Sequence, residues 1–152
     1  MTPETREWVE KAEGDHAVAG REFRVKKSPS FDAVCFHAQQ CAEKFLKARL
    51  CEASAEFPKT HDLARLLTVL LPIEPAWELL RPAAETLTDY AVRFRYPGAT
   101  ADRRLAREAL EYCTMIRERV RVSLGLAMPP TRRRTHRAAS GANQRRPRPT
   151  RR

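Results

Sequence analysis

A single stretch, CFHAQQCAEKFLKARL, holds the polar side chains whose spacing best suits acid–base or anion-binding chemistry. On a helix of 100° per residue they form one polar stripe, within about 80° of one another: His37, Gln40, Lys44 and Lys47. An imidazole exchanges protons near neutral pH, and an ammonium group attracts phosphate oxygens. We therefore take His37 as a candidate catalytic group, and His37, Gln40 and Lys44 as candidate phosphate ligands.

Apolar side chains flank the polar stripe on both sides. One flank consists of Val34, Ala38, Cys41, Phe45 and Ala48, and the other of Phe36, Leu46 and Leu50. A helix at a protein surface usually has a single apolar face, so this helix is predicted to be central and to pack on its own bundle and on a second surface. A second copy of the chain, related by a two-fold axis, would supply that surface and make a homodimer.

Lys44 requires an anionic partner if the polar stripe is partly buried, because an unpaired buried donor costs about 1–3 kcal/mol. Asp15 lies at the edge of the buried face predicted for the first helix, and we expect it to be the structural partner. A ligand phosphate is the alternative partner. The polar stripe is therefore either a network that fixes helix register or part of a groove that binds a nucleotide or RNA.

Three residues outside the polar stripe are further candidates. His61, beside Asp62, is either an ordinary residue of a first helical turn or a second candidate for acid–base catalysis. Arg93 and Arg95 are either ion-pair partners at the end of the bundle or phosphate ligands, since a planar guanidinium group binds oxyanions through two hydrogen bonds.

Helix formers and helix breakers divide the body of the chain into five helical segments, without an alternating strand pattern. The first two are predicted at residues 3–26 and 31–52, with Thr2 and Ser30 as N-caps. These long amphipathic segments supply Asp15 and the polar stripe, respectively.

The remaining segments are shorter or less clearly bounded. The third helix is predicted to follow Thr60 as its N-cap, and the last to cover residues 101–124 after Thr100. The fourth is predicted at residues 76–94, unless Pro82 begins a new helix. Helices joined by short loops predict an all-α, antiparallel bundle of four to five helices.

Positive charge is concentrated at the C-terminal end of the sequence. Residues 127–152 hold nine of the 29 basic residues and no acidic residue, so residues 1–126, with 20 basic and 19 acidic residues, carry a net charge of only +1. The tail has too few apolar side chains to offset the entropy of ordering it. We predict one folded domain over residues 1–126 and a disordered Arg-rich tail, which is either a nucleic-acid binder or a solubilising extension.

Several classes of protein are excluded by what the sequence lacks. No apolar run approaches the roughly 20 residues that span a bilayer, and the polar N-terminus is unlike a secretory signal, so we expect a cytoplasmic protein. No glycine-rich nucleotide-binding motif occurs. Four cysteines without CxxC spacing predict reduced thiols, and no metal site is expected because His37 and Cys41 would form only half of one.

Four motifs occur in order along the chain: CFHAQQCAEKFLKA, THDLARLL, RFRYPG and LAREALEYC. Together they resemble the HEPN domain family, the higher eukaryotes and prokaryotes nucleotide-binding domain, over residues 7–122. The resemblance implies an antiparallel helical bundle that is usually dimeric. It also implies a small nucleotidyltransferase as partner, in a toxin–antitoxin-like module.

The resemblance bears on catalysis too, because many members of this family are metal-independent ribonucleases in which a His follows an Arg after four to six residues. None of the four histidines has an arginine at that spacing: His16, His37, His61 and His136. The resemblance therefore implies an accessory protein that binds a nucleotide or RNA and needs no other cofactor, rather than an enzyme. Two alternatives stay open: an endoribonuclease with an atypical site, using His37 or His61, and a non-catalytic structural interaction module.

Overall fold

The structure is a computed structural model that describes residues 1–127. Its regular elements are all helices, and there is no strand in that range. Its elements are α1 (Pro3–Phe23), α2 (Phe31–Glu52), α3 (Leu63–Leu70), a 3₁₀ helix (Pro75–Leu80), α4 (Arg81–Arg93) and α5 (Arg103–Ser123). The predicted all-α antiparallel bundle is thereby confirmed. Beyond Ala127, the tail predicted over residues 127–152 lies outside the described residues.

Helix α2 is the centre of the bundle and contacts each of the other four α-helices. Both flanks of the polar stripe are buried by this same chain, with Cys41 and Phe45 on one flank and Leu46 and Leu50 on the other almost fully inaccessible. The prediction of a central helix is therefore right. The second surface that we assigned to another copy is supplied by the chain's own helices, so the flanks give no reason to place a second copy there.

Local capping explains where the first two helices begin. The hydroxyl of Thr2 accepts a hydrogen bond from the backbone N–H of Thr5, and the hydroxyl of Ser30 accepts one from Ala33. Each bond satisfies an N–H group that has no partner within the first helical turn. The predicted starts of α1 and α2 coincide with those observed, although α1 ends at Phe23 rather than near residue 26.

Two predicted N-caps were wrong by two residues. Asp62, not Thr60, caps α3 by accepting from the N–H groups of Ala64 and Arg65. Asp102, not Thr100, caps α5. An ionised carboxylate interacts favourably with the positive end of the helix dipole, which adds to the capping hydrogen bond and favours aspartate over a nearby threonine.

Of the two predictions for the fourth segment, an unbroken helix over residues 76–94 is wrong, and a new helix that begins near Pro82 is confirmed. A 3₁₀ helix covers Pro75–Leu80, and α4 begins at Arg81, with Pro82 in its first turn. Proline is tolerated there because its missing N–H would have no helical partner. The antiparallel course then brings the C-terminal end of α4 against the N-terminal half of α2, where Phe36, Tyr90 and Phe94 line a common cavity.

None of the helices within the described residues is both long enough and apolar enough to cross a lipid bilayer.

Candidate functional site

The polar stripe of α2 is divided between two groups of contacts, of which the first is the Asp15 cluster, formed by Asp15, His37 and Lys44. One carboxylate oxygen of Asp15 lies 2.8 Å from Nδ1 of His37, and the other accepts a hydrogen bond from Nζ of Lys44 at 2.5 Å. The Asp15 side chain is only 12% exposed, and those of His37 and Lys44 are 29% and 23% exposed. The Asp15 cluster thus links α1 to α2 through both carboxylate oxygens.

This arrangement occupies the groups that we considered for phosphate binding on that side. The Lys44 ammonium group is neutralised by Asp15, and one nitrogen of His37 is held by the same carboxylate. A phosphate would have to displace an existing, partly desolvated ion pair to reach Lys44. The geometry of the Asp15 cluster therefore favours a role in fixing helix register.

The second group, the Glu43 cluster, consists of Glu43 and the four side chains that donate to it: Gln39, Gln40, Lys47 and His61. Glu43 accepts hydrogen bonds from Nζ of Lys47 at 2.8 Å and from the amide nitrogen of Gln39 at 3.0 Å. A further partner comes from a different segment of the chain: Nδ1 of His61 lies 3.0 Å from Oε2 of Glu43. Gln39 also donates to the backbone carbonyl of His61 at 3.1 Å, so the cluster fastens the segment before α3 onto α2.

Glu43 remains ionised although its side chain is only 4% exposed. Burial raises the pKa of this carboxyl, but hydrogen bonds from Lys47, Gln39 and His61 lower it by more, so the pKa lies below its usual value. Lys47 gains a further favourable contact, with Nζ 5.6 Å from the centre of the Trp8 ring. A buried charge is thus held by several partners at once.

Gln39 and Glu43 were not predicted as site residues, because both fall on the flank of α2 that we treated as apolar. The signal that could have found them is their spacing. Gln39, Glu43 and Lys47 recur at every fourth position, which places an amide, an acid and a base on neighbouring turns of one helical face.

His61 combines an exposed ring with a buried partner. Its side chain is 83% exposed, and its Nδ1 lies within 3.1 Å of both oxygens of Glu43. Because an ionised carboxylate can only accept hydrogen bonds, Nδ1 must carry the proton, and in the neutral ring Nε2 is left with its lone pair. This orientation makes Nε2 suitable for accepting a proton or a hydrogen bond from a ligand.

His61 opens onto a cavity of about 320 Å³ between α2 and α4, which we call the α2–α4 groove. Its lining combines polar groups with a small apolar patch and includes Gln39, Gln40, Thr88, Ala91, Val92 and Arg95. A second cavity, of about 300 Å³, adjoins it, and Arg95 lines both. Volumes of this size are at the lower end of those that hold small ligands.

Arg95 is the basic group of the α2–α4 groove, and its guanidinium carbon lies 5.6 Å from the centre of the Phe36 ring. Within residues 1–127, no carboxylate forms an ion pair with it. Arg93 differs, since it is paired with Asp89 and lies over Tyr90 and Phe94. Arg95 is therefore oriented by an aromatic face and keeps its hydrogen-bond donors for a ligand.

The structure thus separates the residues singled out from the sequence. Gln40, His61 and Arg95 line the same groove. His37 and Lys44 instead contact Asp15, and Arg93 contacts Asp89. No group of three or more metal-ligating side chains is found within the described part of the chain.

The cysteines are free and mostly inaccessible. Cys35, Cys41 and Cys113 are buried, and Cys51 is partly exposed. Burial raises the pKa of Cys35 to about 12 and the pKa of Cys41 well above its usual value. Because the thiolate is the reactive form, these buried thiols belong to the core rather than to a reactive site.

Comparisons with known proteins agree on one family. The family model for the HEPN domain matches residues 5–123. The crystal structure of TT1696 from Thermus thermophilus is similar, with a TM-score of 0.69 and 26% identity, over 80% of this chain and 98% of that one. That of ST0689, an archaeal HEPN homologue, gives a TM-score of 0.64 and 26% identity, over 79% and 97%. No curated protein matches the chain significantly.

Proposed function

The chain belongs to the HEPN domain family, and from this we propose that it is a nucleotide- or RNA-binding accessory protein whose ligand places a phosphate in the α2–α4 groove. The observation that carries the proposal is the state of Arg95. Its guanidinium group lies over the ring of Phe36 and pairs with no carboxylate among the described residues, and it lines the groove with Gln40 and His61. A guanidinium group held in this way is suited to bind a phosphate through two hydrogen bonds.

The acidic groups near the groove do not oppose an anionic ligand. The Asp62 side chain accepts hydrogen bonds from two N–H groups at the start of α3. Glu43 is enclosed by its four hydrogen-bond donors. The negative charges of Asp62 and Glu43 are thus offset by hydrogen-bond donors. The positive charge of Arg95 is not offset by any carboxylate among the described residues, so the part of the groove near Arg95 favours anions.

The base of a nucleotide would find apolar surface next to the phosphate contact. Ala91 and the 61% exposed Val92 line the same groove as Arg95, and Phe36 lies in the adjoining cavity. Aromatic and arginine planes stack on bases of any identity, which supports binding without strong sequence preference. The ligand class is therefore a nucleotide or a short single strand of RNA.

Thermal unfolding with ATP, GTP or a short RNA tests this proposal. A ligand at 100 times its dissociation constant adds about 2.7 kcal/mol of stability, which raises the melting temperature measurably. We expect Arg95→Ala to lose this shift and Arg93→Ala, which removes a nearby arginine already paired with Asp89, to keep it. The proposal fails if no ligand stabilises the wild type, or if Arg95→Ala responds as the wild type does.

The contact between Glu43 and His61 favours a second candidate function, that of a metal-independent endoribonuclease. Glu43 would hold the imidazole in place, Nε2 of His61 would exchange protons, and Arg95 would stabilise charge on the phosphate. Of the two candidate histidines, His61 fits better, because His37 is engaged by Asp15 outside the groove. RNA cleavage in EDTA should then disappear in His61→Ala and persist in His37→Ala. Equal background from all three proteins would exclude this function.

Membership of the family also leads us to propose a minimal nucleotidyltransferase as partner, in a toxin–antitoxin-like module. Support comes from the family alone. Co-expression with a nucleotidyltransferase encoded by a neighbouring gene, followed by size-exclusion chromatography, tests it directly. Separate elution of the two proteins would contradict the proposed partnership, but it would not contradict the proposed ligand binding.

A further inference from the structure

The end of the bundle where α1 ends and α5 begins carries a cluster of basic side chains. They belong to the C-terminal end of α1, to the loop that follows it and to the first turns of α5. We call them the basic patch: Arg21, Arg24, Lys26, Lys27, Arg103 and Arg107. All six are exposed, and none of them lines the α2–α4 groove.

Two aromatic rings orient the arginines that α5 contributes to the basic patch. The rings of Phe23, at the end of α1, and Phe31, at the start of α2, have their centres 6.4 Å apart. The guanidinium carbon of Arg103 lies 5.4 Å from the centre of the first ring and 5.1 Å from the centre of the second. That of Arg107 lies 5.8 Å from the centre of the Phe23 ring. Contact with an aromatic face orients a guanidinium group without using its hydrogen-bond donors, which stay available to an anion.

The basic patch has no counter-charge within the part of the chain that the structure describes. None of its six side chains forms an ion pair over residues 1–127. Three acidic side chains lie at the same end of the bundle, and each accepts a hydrogen bond from a backbone N–H group: Glu22 from Ser30, Asp32 from Ala101, and Asp102 from Leu105. The tail brings no counter-charge either, since residues 127–152 contain no acidic side chain.

The charge of the folded domain is therefore distributed unevenly. Residues 21–32 and 102–107 together hold seven basic and three acidic side chains, a net charge of +4, although residues 1–126 as a whole carry only +1. Both α2 and α5 begin at this end, so the positive ends of two helix dipoles add to the side-chain charge. This distribution attracts anions to the basic patch.

The basic patch meets the proposed ligand site at the first turn of α2. Asp32 lines the cavity that adjoins the α2–α4 groove, together with Phe36 and Arg95. The same side chain accepts a hydrogen bond at 2.7 Å from the N–H group of Ala101, two residues before Arg103. A strand of phosphates that leaves Arg95 therefore has to cross only one helix end to reach the basic patch.

The chemistry of the basic patch fits a phosphate backbone better than a lipid surface. Insertion into a membrane interface needs exposed apolar side chains beside the basic ones. Within residues 21–32 and 102–107, Val25 is the one large apolar side chain that is exposed, at 36%. The rings of Phe23 and Phe31 are partly buried and lie under guanidinium groups. Arginines spaced along a surface instead neutralise successive phosphates of a strand, whatever its base sequence.

We propose that the basic patch is a second phosphate-binding surface, which holds the backbone of a single RNA strand that also occupies the α2–α4 groove. The inference rests on the proposed function, since it takes a strand of RNA as the ligand of the groove. It narrows the ligand class from a nucleotide to a strand of several nucleotides, because the groove and the basic patch lie on either side of the first turn of α2.

Binding of a labelled poly(U) strand of about 12 nucleotides, a length within the usual range of single-strand sites, tests the proposal. Fluorescence anisotropy of the full chain measures the affinity at several salt concentrations. For Arg103→Gln/Arg107→Gln we expect an affinity about tenfold below that of the wild type at low salt. The slope of log affinity against log salt concentration should become shallower by about 1.4, as for the loss of two phosphate contacts in a single strand. Every protein compared keeps the tail, so its contribution is the same throughout.

Arg6→Gln/Arg119→Gln is the matched control, because it removes two exposed arginines without ion pairs in the described chain from the opposite end of the bundle. It should bind the strand nearly as the wild type does. Wild-type affinity and slope in Arg103→Gln/Arg107→Gln would overturn the proposal, as would an equal loss in the control. Unchanged RNA binding together with weaker cosedimentation with vesicles of anionic phospholipid would also overturn it, since that result identifies a lipid surface.

A failure of this inference can be told apart from a failure of the proposed ligand site. Arg103→Gln/Arg107→Gln should keep the full shift of melting temperature with ATP or GTP, which Arg95→Ala should lose. If Arg95→Ala keeps that shift, the proposal for the groove is wrong, whereas a loss of RNA affinity in Arg103→Gln/Arg107→Gln still supports the basic patch. Circular dichroism establishes that each variant is folded.

Discussion

The carboxylate of Glu43 lies 3.0 Å from Nδ1 of His61, which joins a buried charge at the centre of the bundle to an exposed ring at its surface. The two residues are 18 positions apart, and the loop between them returns along α2 to make the contact. This single contact ties the position of the surface histidine to the most enclosed helix of the protein. It therefore gives the α2–α4 groove one wall of defined geometry.

Replacing Glu43 should show how much the Glu43 cluster contributes to the stability of the protein. Glu43→Gln leaves the almost buried Lys47 without its counter-charge, and we expect the free energy of unfolding at pH 7 to fall by about 3 kcal/mol. Chemical denaturation measures this free energy of unfolding. Glu56→Gln, at an exposed position, is the control and should change stability little.

The pH dependence of that difference has a definite sign. The pKa of Glu43 is lowered by folding, so its contribution is fully present above the ordinary carboxyl value of 4.5 and is lost as the pH falls through the lowered folded-state pKa. The gap between wild type and Glu43→Gln should accordingly narrow below about pH 4.5. A gap of constant size down to acid pH would contradict an ionised Glu43.

The Asp15 cluster predicts a non-additive pair of substitutions. Asp15→Asn leaves Lys44 without its counter-charge and should cost about 3 kcal/mol of stability. Adding Lys44→Met, which removes the unpaired charge and keeps the aliphatic stem, should restore part of the loss. Denaturation of the two single variants and the double variant measures the coupling. Strict additivity would show that Asp15 and Lys44 do not interact.

His16 should make the stability sensitive to mildly acidic pH. Burial, followed by the nearby charge of Arg117, lowers the pKa of His16 below its usual 6.5, and its Nε2 lies 3.1 Å from the hydroxyl of Thr114. A folded state that binds the proton less tightly than the unfolded chain loses stability as the pH falls below 6.5. We expect His16→Gln to flatten the stability profile between about pH 7 and 5. If the slope of stability against pH is the same in His16→Gln as in the wild type, His16 does not cause the pH dependence.

The Arg-rich tail should account for salt-dependent binding to nucleic acid. Nine arginines without acidic neighbours give residues 127–152 a strong positive charge. Deleting residues 127–152 should abolish the steep decrease of RNA affinity with salt concentration, because fewer phosphates are neutralised. Circular dichroism should show the bundle intact. If the shortened protein binds RNA with the same affinity and the same salt dependence, the tail does not take part in binding nucleic acid.

The features that could be predicted from the sequence are those set by local interactions. The starts of α1 and α2 follow from Thr2 and Ser30, which cap the N–H groups next to them. The central position of α2 follows from two apolar flanks that no single surface could bury. Where Thr and Asp compete for the same helix start, as before α3, spacing alone does not decide between them.

The α2–α4 groove could be predicted only in part, since it depends on the path of the loop before α3. Arg95 and His61 were recognised as candidates by type, but nothing local showed that they share one groove. Glu43 was missed because the other side chains on its flank of α2 are mostly apolar, and its contact with His61 depends on the path of the loop. Long-range pairings of this kind depend on the whole packing.

The burial of α2 has a mechanical consequence for the α2–α4 groove. Since α2 contacts four other helices, it acts as a stiff frame whose displacement would disturb the entire core. Arg95 lies two residues beyond the end of α4, and its side chain is exposed. We therefore expect the exposed edge that carries Arg95 to adjust to the shape of a bound molecule more readily than the wall formed by α2.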